Sequence, residues 1–237
     1  KDIFPKFYFN LERDWGKNKM KSKKNSFKVA IDGSSASGKT TGSKIISKKF
    51  KLKLLTSGKL YRFLALKILN NKKKYSPKYV NKIANKITLK DLNSKKIFSQ
   101  KVTNFATSIA KIKYIRNSLK QFQLNFIKKN NRVIVEGRDI ASKIMPDADL
   151  KIFFTCSLRE KAKRRLNEYK NKNKNIQLKD VKKALKFRDF SDMNRKESPL
   201  LFVKGAVLVD TTNLSKKQME AKLLKLVKLR INKKING

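Results

Sequence analysis

Residues 29–40, Val-Ala-Ile-Asp-Gly-Ser-Ser-Ala-Ser-Gly-Lys-Thr, constrain this chain more than any other stretch. Gly33, Gly38, Lys39 and Thr40 fit the pattern G-x-x-x-x-G-K-[ST] of a phosphate-binding loop. Backbone N–H groups of Gly33, Ser34, Ser35, Ala36, Ser37 and Gly38 would wrap a phosphate. Those of Lys39, Thr40 and Thr41 would open a helix whose positive end adds to the attraction. Lys39 can reach β- and γ-phosphates, and the Thr40 hydroxyl can ligand Mg²⁺. Residues 27–31 branch and alternate like a buried strand, and 41–50 carry a helical pattern, so strand, loop and helix follow in the required order. The stretch predicts a bound ATP or GTP and says nothing about a phosphoryl acceptor.

Downstream, short apolar runs alternate with helical segments. Strands are predicted at 27–31, 53–55, 133–135, 150–154 and 207–209, and helices at 41–50, 59–69, 103–127, 158–169, 178–187 and 216–231. Runs this short suit parallel strands covered on both faces, with helices as crossovers. The predicted class is α/β, a P-loop NTPase fold with a five-stranded parallel sheet flanked by helices. In such sheets ligands lie beyond the carboxyl ends of the strands. Here those ends are 32–39, 56–62, 136–139 and 155–159, and all four carry polar or charged residues.

Composition excludes several alternatives. With no His, neither Ser-His-Asp nor Cys-His catalysis nor His-ligated zinc is available. The single Cys156 allows no disulfide within the chain; it ends an apolar run and is expected to be a buried structural thiol in a reducing cytoplasm. No run of 18 apolar residues exists, and residues 1–25 hold no continuous apolar stretch of the signal-peptide kind. Those 25 residues stand apart as a basic extension with the only Trp (Trp15). Met20 lies seven residues before the first strand, so the folded domain is expected to start near it, and a chain beginning there should fold and function.

The net charge of +45 resembles that of a nucleic-acid binder. Its make-up argues otherwise. Of 62 basic residues only 11 are Arg, the lysines are scattered, and Asn and Ile are abundant, as an A+T-rich coding sequence would supply. No dedicated nucleic-acid partner is expected. In such a chain Arg should persist where Lys cannot replace it, as a planar fork on phosphate or carboxylate. Arginines cluster in Ser-Gly-Lys-Leu-Tyr-Arg (57–62), Glu-Gly-Arg-Asp (136–139), Lys-Arg-Arg (163–165) and Arg-Asp-Phe-Ser-Asp-Met-Asn-Arg (188–195). Their convergence on one cleft would suit phosphoryl transfer between two anions. Arg132, Arg159 and Arg230 fit surface ion pairs with carboxylates as well as they fit the cleft.

With these clusters in place, the sequence resembles the bacterial cytidylate kinase family of nucleoside monophosphate kinases from about residue 27 to 231. The ordered landmarks are 31–39, 57–62, Glu136-Gly-Arg-Asp-Ile140 with Pro146-Asp-Ala148, Lys151-Ile-Phe-Phe154, 160–165, Arg188-Asp189…Asp192…Arg195…Pro199-Leu200 and Val209-Asp-Thr-Thr212. The resemblance implies a kinase domain over 26–235, an NMP-binding region over about 58–118 and a mobile lid over about 158–175. It implies ATP as co-substrate with Mg²⁺, and CMP or dCMP as acceptor. Arg62, beside Tyr61, with Arg138 and Arg195 would hold the acceptor phosphate, Arg188 and Asp192 the ribose, and Ser57, Thr107, Arg116 and Asp139 the cytosine. Lys39, Arg138, Arg164 and Arg165 would serve catalysis, the last two at the start of the mobile lid. A cytoplasmic monomer is expected.

The base readers make chemical sense. Cytosine offers an N4 donor beside N3 and O2 acceptors, matching a carboxylate and a guanidinium or hydroxyl. Three features depart from the family pattern: Thr56 in place of Asp, Ala141 in place of Gly, and only 44 residues between Arg62 and Thr107 with little strand pattern. A related kinase acting on UMP, AMP or a small metabolite, or a basic RNA-binding P-loop protein, is the alternative.

Overall fold

A computed structural model describes residues 26–71, 75–170 and 176–236. The expected N-terminal extension (1–25) and lid tip (171–175) lie outside the described residues.

Five strands form one sheet: β1 (Phe27–Gly33), β2 (Lys53–Thr56), β3 (Arg132–Glu136), β4 (Leu150–Thr155) and β5 (Ala206–Asp210). All pair in parallel, in the order β2-β3-β1-β4-β5. The chain therefore reverses direction across the sheet at β1, between β3 and β4, where a ligand crevice opens. Register places Ile31 beside Glu136 and Gly33 beside Phe154, so the phosphate loop leaves the sheet at its centre.

Eight helices join the strands among the described residues: α1 (Lys39–Phe50), α2 (Ser57–Asn70), α3 (Pro77–Asn85), α4 (Gln100–Ile109), α5 (Lys113–Lys129), α6 (Leu158–Lys170), α7 (Leu178–Asn194) and α8 (Lys216–Asn236). The strands alternate, so each sheet face acquires its own core. Val29, Ile31, Ile134, Ile152 and Phe154 pack with Ile46 of α1 and Leu223 and Val227 of α8. Ala30, Leu55, Val133 and Val135 pack with Leu60 and Leu64 of α2 and Ile115 and Leu119 of α5. A small separate cluster, Ala162, Val181 and Leu185, ties α6 to α7.

All five predicted strands are present, each one or two residues longer than its apolar run. Three helix expectations need correction, the simplest being α8, which runs to Asn236 rather than ending at 231. The predicted single helix over 103–127 is two helices, interrupted at 110–112. There the Ala110 N–H still donates to Ala106 O (3.1 Å), while the Ala110 carbonyl accepts from Arg116 Nη1 (2.9 Å). The helix predicted over 178–187 continues to Asn194, because its last turns bury charged groups, Asp189 and Asp192, while Phe187, Phe190 and Met193 face outward. Its apolar period therefore ends before the helix does. Between Arg62 and Thr107 the described residues form the rest of α2, then α3, two 3₁₀ turns and part of α4, with no strand. Ser76 and Ser99 cap α3 and α4 by accepting from Tyr79 N and Val102 N (both 3.3 Å).

Candidate active site

The loop 34–38 takes its shape from two glycines. Gly33 has φ +144°, and a Cβ there would lie 2.1 Å from the Phe154 carbonyl oxygen. Gly38, at φ +86°, turns the chain into α1. Within the loop Ser37 Oγ donates to Ser34 O (2.9 Å), and the Lys39 ammonium also donates to Ser34 O. Ser35 N donates to Asp189 Oδ1 of α7 (2.8 Å). Asp189 also takes Lys161 Nζ of α6 at 2.6 Å, so one carboxylate ties the loop to both C-terminal helices of the cleft. At the start of α1, Thr40 Oγ1 donates to Glu136 Oε1 (2.9 Å) and Ser43 Oγ to Glu136 Oε2 (3.1 Å).

Facing the loop is a cleft lined by Ser35, Ala36, Lys39 and Thr40 from its donor side. Every predicted acceptor-side residue lines the same cleft: Ser57, Tyr61, Arg62, Thr107, Arg116, Arg138, Asp139, Arg188, Asp192 and Arg195. Arg165 joins them. Six of the eleven arginines therefore converge here. Arg188, Asp192 and Arg195 form one stripe on α7 and its end, at i, i+4 and i+7.

Charge balance inside the cleft is incomplete. Arg138 is clamped, with Nε on Asp192 Oδ2 (2.8 Å) and Nη2 on Ser35 Oγ (3.0 Å). Burial opposes its charge, but Asp192 prevails and raises its pKa above the usual value. Arg195 Nε donates to Ser198 O (2.7 Å), while its Nη2 is buried without a hydrogen-bond partner. Arg188 Nε is likewise buried and unpartnered. Burial first, then the neighbouring Arg138, pushes the Arg188 pKa down to about 10. Burial and then Arg165 and Arg138 lower that of Arg62. Lys39 is driven well below the usual lysine range by burial and by Arg138. Buried guanidinium donors without partners, and cations that repel one another, are what an anion would relieve.

Arg116 Nη2 and Asp139 Oδ2 form a buried ion pair, and the Arg116 guanidinium lies over the Tyr61 ring, 5.5 Å from its centroid. Thr107 reaches the cleft, but its hydroxyl hydrogen is committed to Thr103 O (3.1 Å), so it must rotate before donating to a base. Arg164 does not line the cleft. It lies behind the loop, donating to Thr211 O (2.7 Å), Thr211 Oγ1 (3.0 Å) and Glu160 (3.0 Å). Arg132 and Arg230 serve the frame by donating to the Phe50 and Asp149 carbonyls. Cys156 is buried and free, as expected.

The family model for cytidylate kinase matches residues 29–229. The chain belongs to the cytidylate kinase family. Cytidylate kinases of Rickettsia rickettsii and Rickettsia prowazekii are each 35% identical to it over 205 residues, covering 86% of this chain and 93% of theirs. A crystal structure of an uncharacterised protein from Eubacterium ventriosum shares the fold, at TM-score 0.50 and 13% identity, over 87% of this chain and 99% of that one.

Within this cytidylate kinase domain, Ala141 lies in the single wide turn Ile140–Ile144. It is not among the residues at positive φ, and its N–H is bound by Asp32. Sequence reasoning assigned no role to Asp32, Glu136, Lys161, Asp189 or Thr211. A signal existed for the acids. The chain has only 17 Asp and Glu, so the logic applied to its scarce arginines applies to its scarce carboxylates too.

Proposed function

We propose that the chain transfers the γ-phosphoryl group of ATP to CMP or dCMP, giving ADP and CDP or dCDP, with donor and acceptor meeting in the cleft described above. The supporting observation is the shared lining: phosphate loop, under-compensated arginines and the Arg116–Asp139 pair all border one cavity.

An oxygen of the acceptor phosphate attacks the γ-phosphorus. The bond from that phosphorus to the β–γ bridging oxygen breaks, and ADP leaves with the electron pair. A phosphate monoester is its own nucleophile, so alignment and charge stabilisation carry the step. Arg62, Arg138 and Arg195 grip the acceptor phosphate, and Lys39 leaves the Ser34 carbonyl for the donor phosphates. The hard oxygens of the Thr40 hydroxyl and the adjacent Glu136 carboxylate fit Mg²⁺ held chiefly by phosphates. Thr40 would hold the ion, which supplies charge to neutralise the β- and γ-phosphate oxygens. Asp139 accepts from cytosine N4, and Arg116 donates to N3 or O2. Uracil would set its O4 acceptor against the Asp139 carboxylate. Arg188 and Asp192 face the ribose, and Arg165 closes from α6 to exclude water, which would otherwise compete as acceptor. One chain supplies all of these residues, so a monomer could carry the reaction without a second subunit to complete the site.

A coupled ADP-release assay across CMP, dCMP, UMP and AMP tests the reading. Turnover is expected with CMP and dCMP; activity on AMP without activity on CMP would overturn it.

A further inference from the structure

Asp32 lies at the end of β1, one residue before the phosphate loop, and is 2% exposed. It is not among the residues that line the cleft. Oδ1 accepts from Ile140 N (2.9 Å) and Oδ2 from Ala141 N (2.7 Å). These are the first two N–H groups of a single wide helical turn, Ile140–Ile144, closed by Met145 N donating to Ile140 O (2.7 Å). The first N–H groups of any helical turn lack partners within it. Here a carboxylate from a neighbouring strand supplies both. Asp139 stands immediately before the turn, at φ −138° and ψ 26°, and its carbonyl accepts from Lys143 N (2.9 Å). Asp139 is thus the hinge between β3 and a turn whose orientation Asp32 sets.

We propose that Asp32 is a positioning residue for base selection: by capping the 140–144 turn from β1, it aims the Asp139–Arg116 pair at the acceptor base. The inference rests on the reading of the cleft as a CMP site. Its physical basis is narrow clearance. Asp139 and Arg116 are both buried, so a rotated turn cannot be compensated by side-chain reach. Lys39 and Asp139 are the charged groups around Asp32, attracting and repelling it respectively. Removing the Asp32 charge therefore relieves repulsion on Asp139 while freeing the turn. A variant that keeps the shape and loses one acceptor separates selection from folding.

Asp32→Asn is that variant, because a carboxamide can cap one N–H and must turn a donor toward the other. The assay is kcat/KM for CMP and UMP, with KM for ATP, in wild type and D32N at a temperature well below the Tm of both. The CMP:UMP ratio should fall about ten-fold, the worth of one buried hydrogen bond, with KM for ATP unchanged. An unchanged ratio overturns the proposal, as does an equal rise in KM for ATP and CMP, which marks a general structural role. If D32N does not fold, hydrogen exchange in the ligand-free wild type decides. The Ile140 and Ala141 amides should be as protected as those of β3, and rapid exchange at both overturns the proposal. A wild type that phosphorylates no CMP overturns the reading of the cleft and this inference with it. A wild type that phosphorylates CMP beside an unchanged D32N ratio overturns the inference alone.

Discussion

Lys39 and Arg138 show how far the cleft depends on a ligand. Lys39 is buried among cations, with only the Ser34 carbonyl and nearby carboxylates to offset its charge. Arg138 is better compensated through Asp192 but holds its Nη2 on a serine hydroxyl, a weak partner for a guanidinium. Replacing Lys39 by Ala should lower kcat about 10²- to 10³-fold, the usual loss for a charge-stabilising group. Arg138→Ala should raise KM for CMP and lower kcat while leaving KM for ATP nearly unchanged. Steady-state kinetics in both substrates separates the two. Asp32 gives a pH signature. Burial raises its pKa to about 6, against opposing hydrogen bonds from Ala141 and Ile140. The folded state therefore holds this proton more tightly than the unfolded chain, where an aspartate titrates near 4. That stabilisation is complete below about 4 and is lost as pH rises through about 6. From pH 4 to 7 wild type should lose up to about 3 kcal/mol relative to D32N. Denaturant unfolding at both pH values measures it, and a constant difference would show that Asp32 is not perturbed.

Elements carried more of their history in the sequence where packing was regular. The five strands were readable because each is a short apolar run whose two faces are both covered. The interruption at 110–112 was not, since Ala110-Lys111-Ile112 holds neither Gly nor Pro. It matters for the site. On one continuous helix Thr107 and Arg116, nine residues apart, would point about 180° from each other. Only the break lets both border the cleft. Likewise the end of α7 is hidden from periodicity, because its last turns bury Asp189 and Asp192 and expose Phe187, Phe190 and Met193, the reverse of the usual pattern. The cleft arginines at 62, 138, 165, 188 and 195 are legible through scarcity and clustering rather than periodicity, whereas the candidate base readers Ser57, Thr107, Arg116 and Asp139 come from the family resemblance. Asp32 was missed because its partners are backbone N–H groups, which no side-chain pattern announces. At this scale α6 has a testable role. Its polar ties to the loop run through Lys161, Asp189 and Ser35 and through Arg164, Thr211 and Ser37, and it packs on α7 through a small apolar cluster that Ala36 of the loop also touches. Hydrogen exchange along Leu158–Lys170 should slow on adding CMP with a non-hydrolysable ATP analogue, and an unchanged profile would argue against closure of this helix.

Across the whole molecule, 62 basic residues face 17 acidic ones. Mutual repulsion on that scale penalises the compact state, and salt screens it within about 10 Å at 0.1 M ionic strength. Thermal stability should therefore rise from 20 to 300 mM NaCl. Sulfate at equal ionic strength should raise Tm further, because it can occupy the arginine cluster as well as screen. Equal shifts in the two salts would mean that the cluster binds no free anion. The sheet order has a further consequence. Donor loop and acceptor arginine leave from β1 and β3, adjacent strands held in register from Phe27↔Arg132 to Ile31↔Glu136. Neighbouring strands lie about 4.8 Å apart. The backbone ladder thus acts as a ruler between the two nucleotides, graduated in peptide units. Surface residues can drift toward lysine without changing its scale.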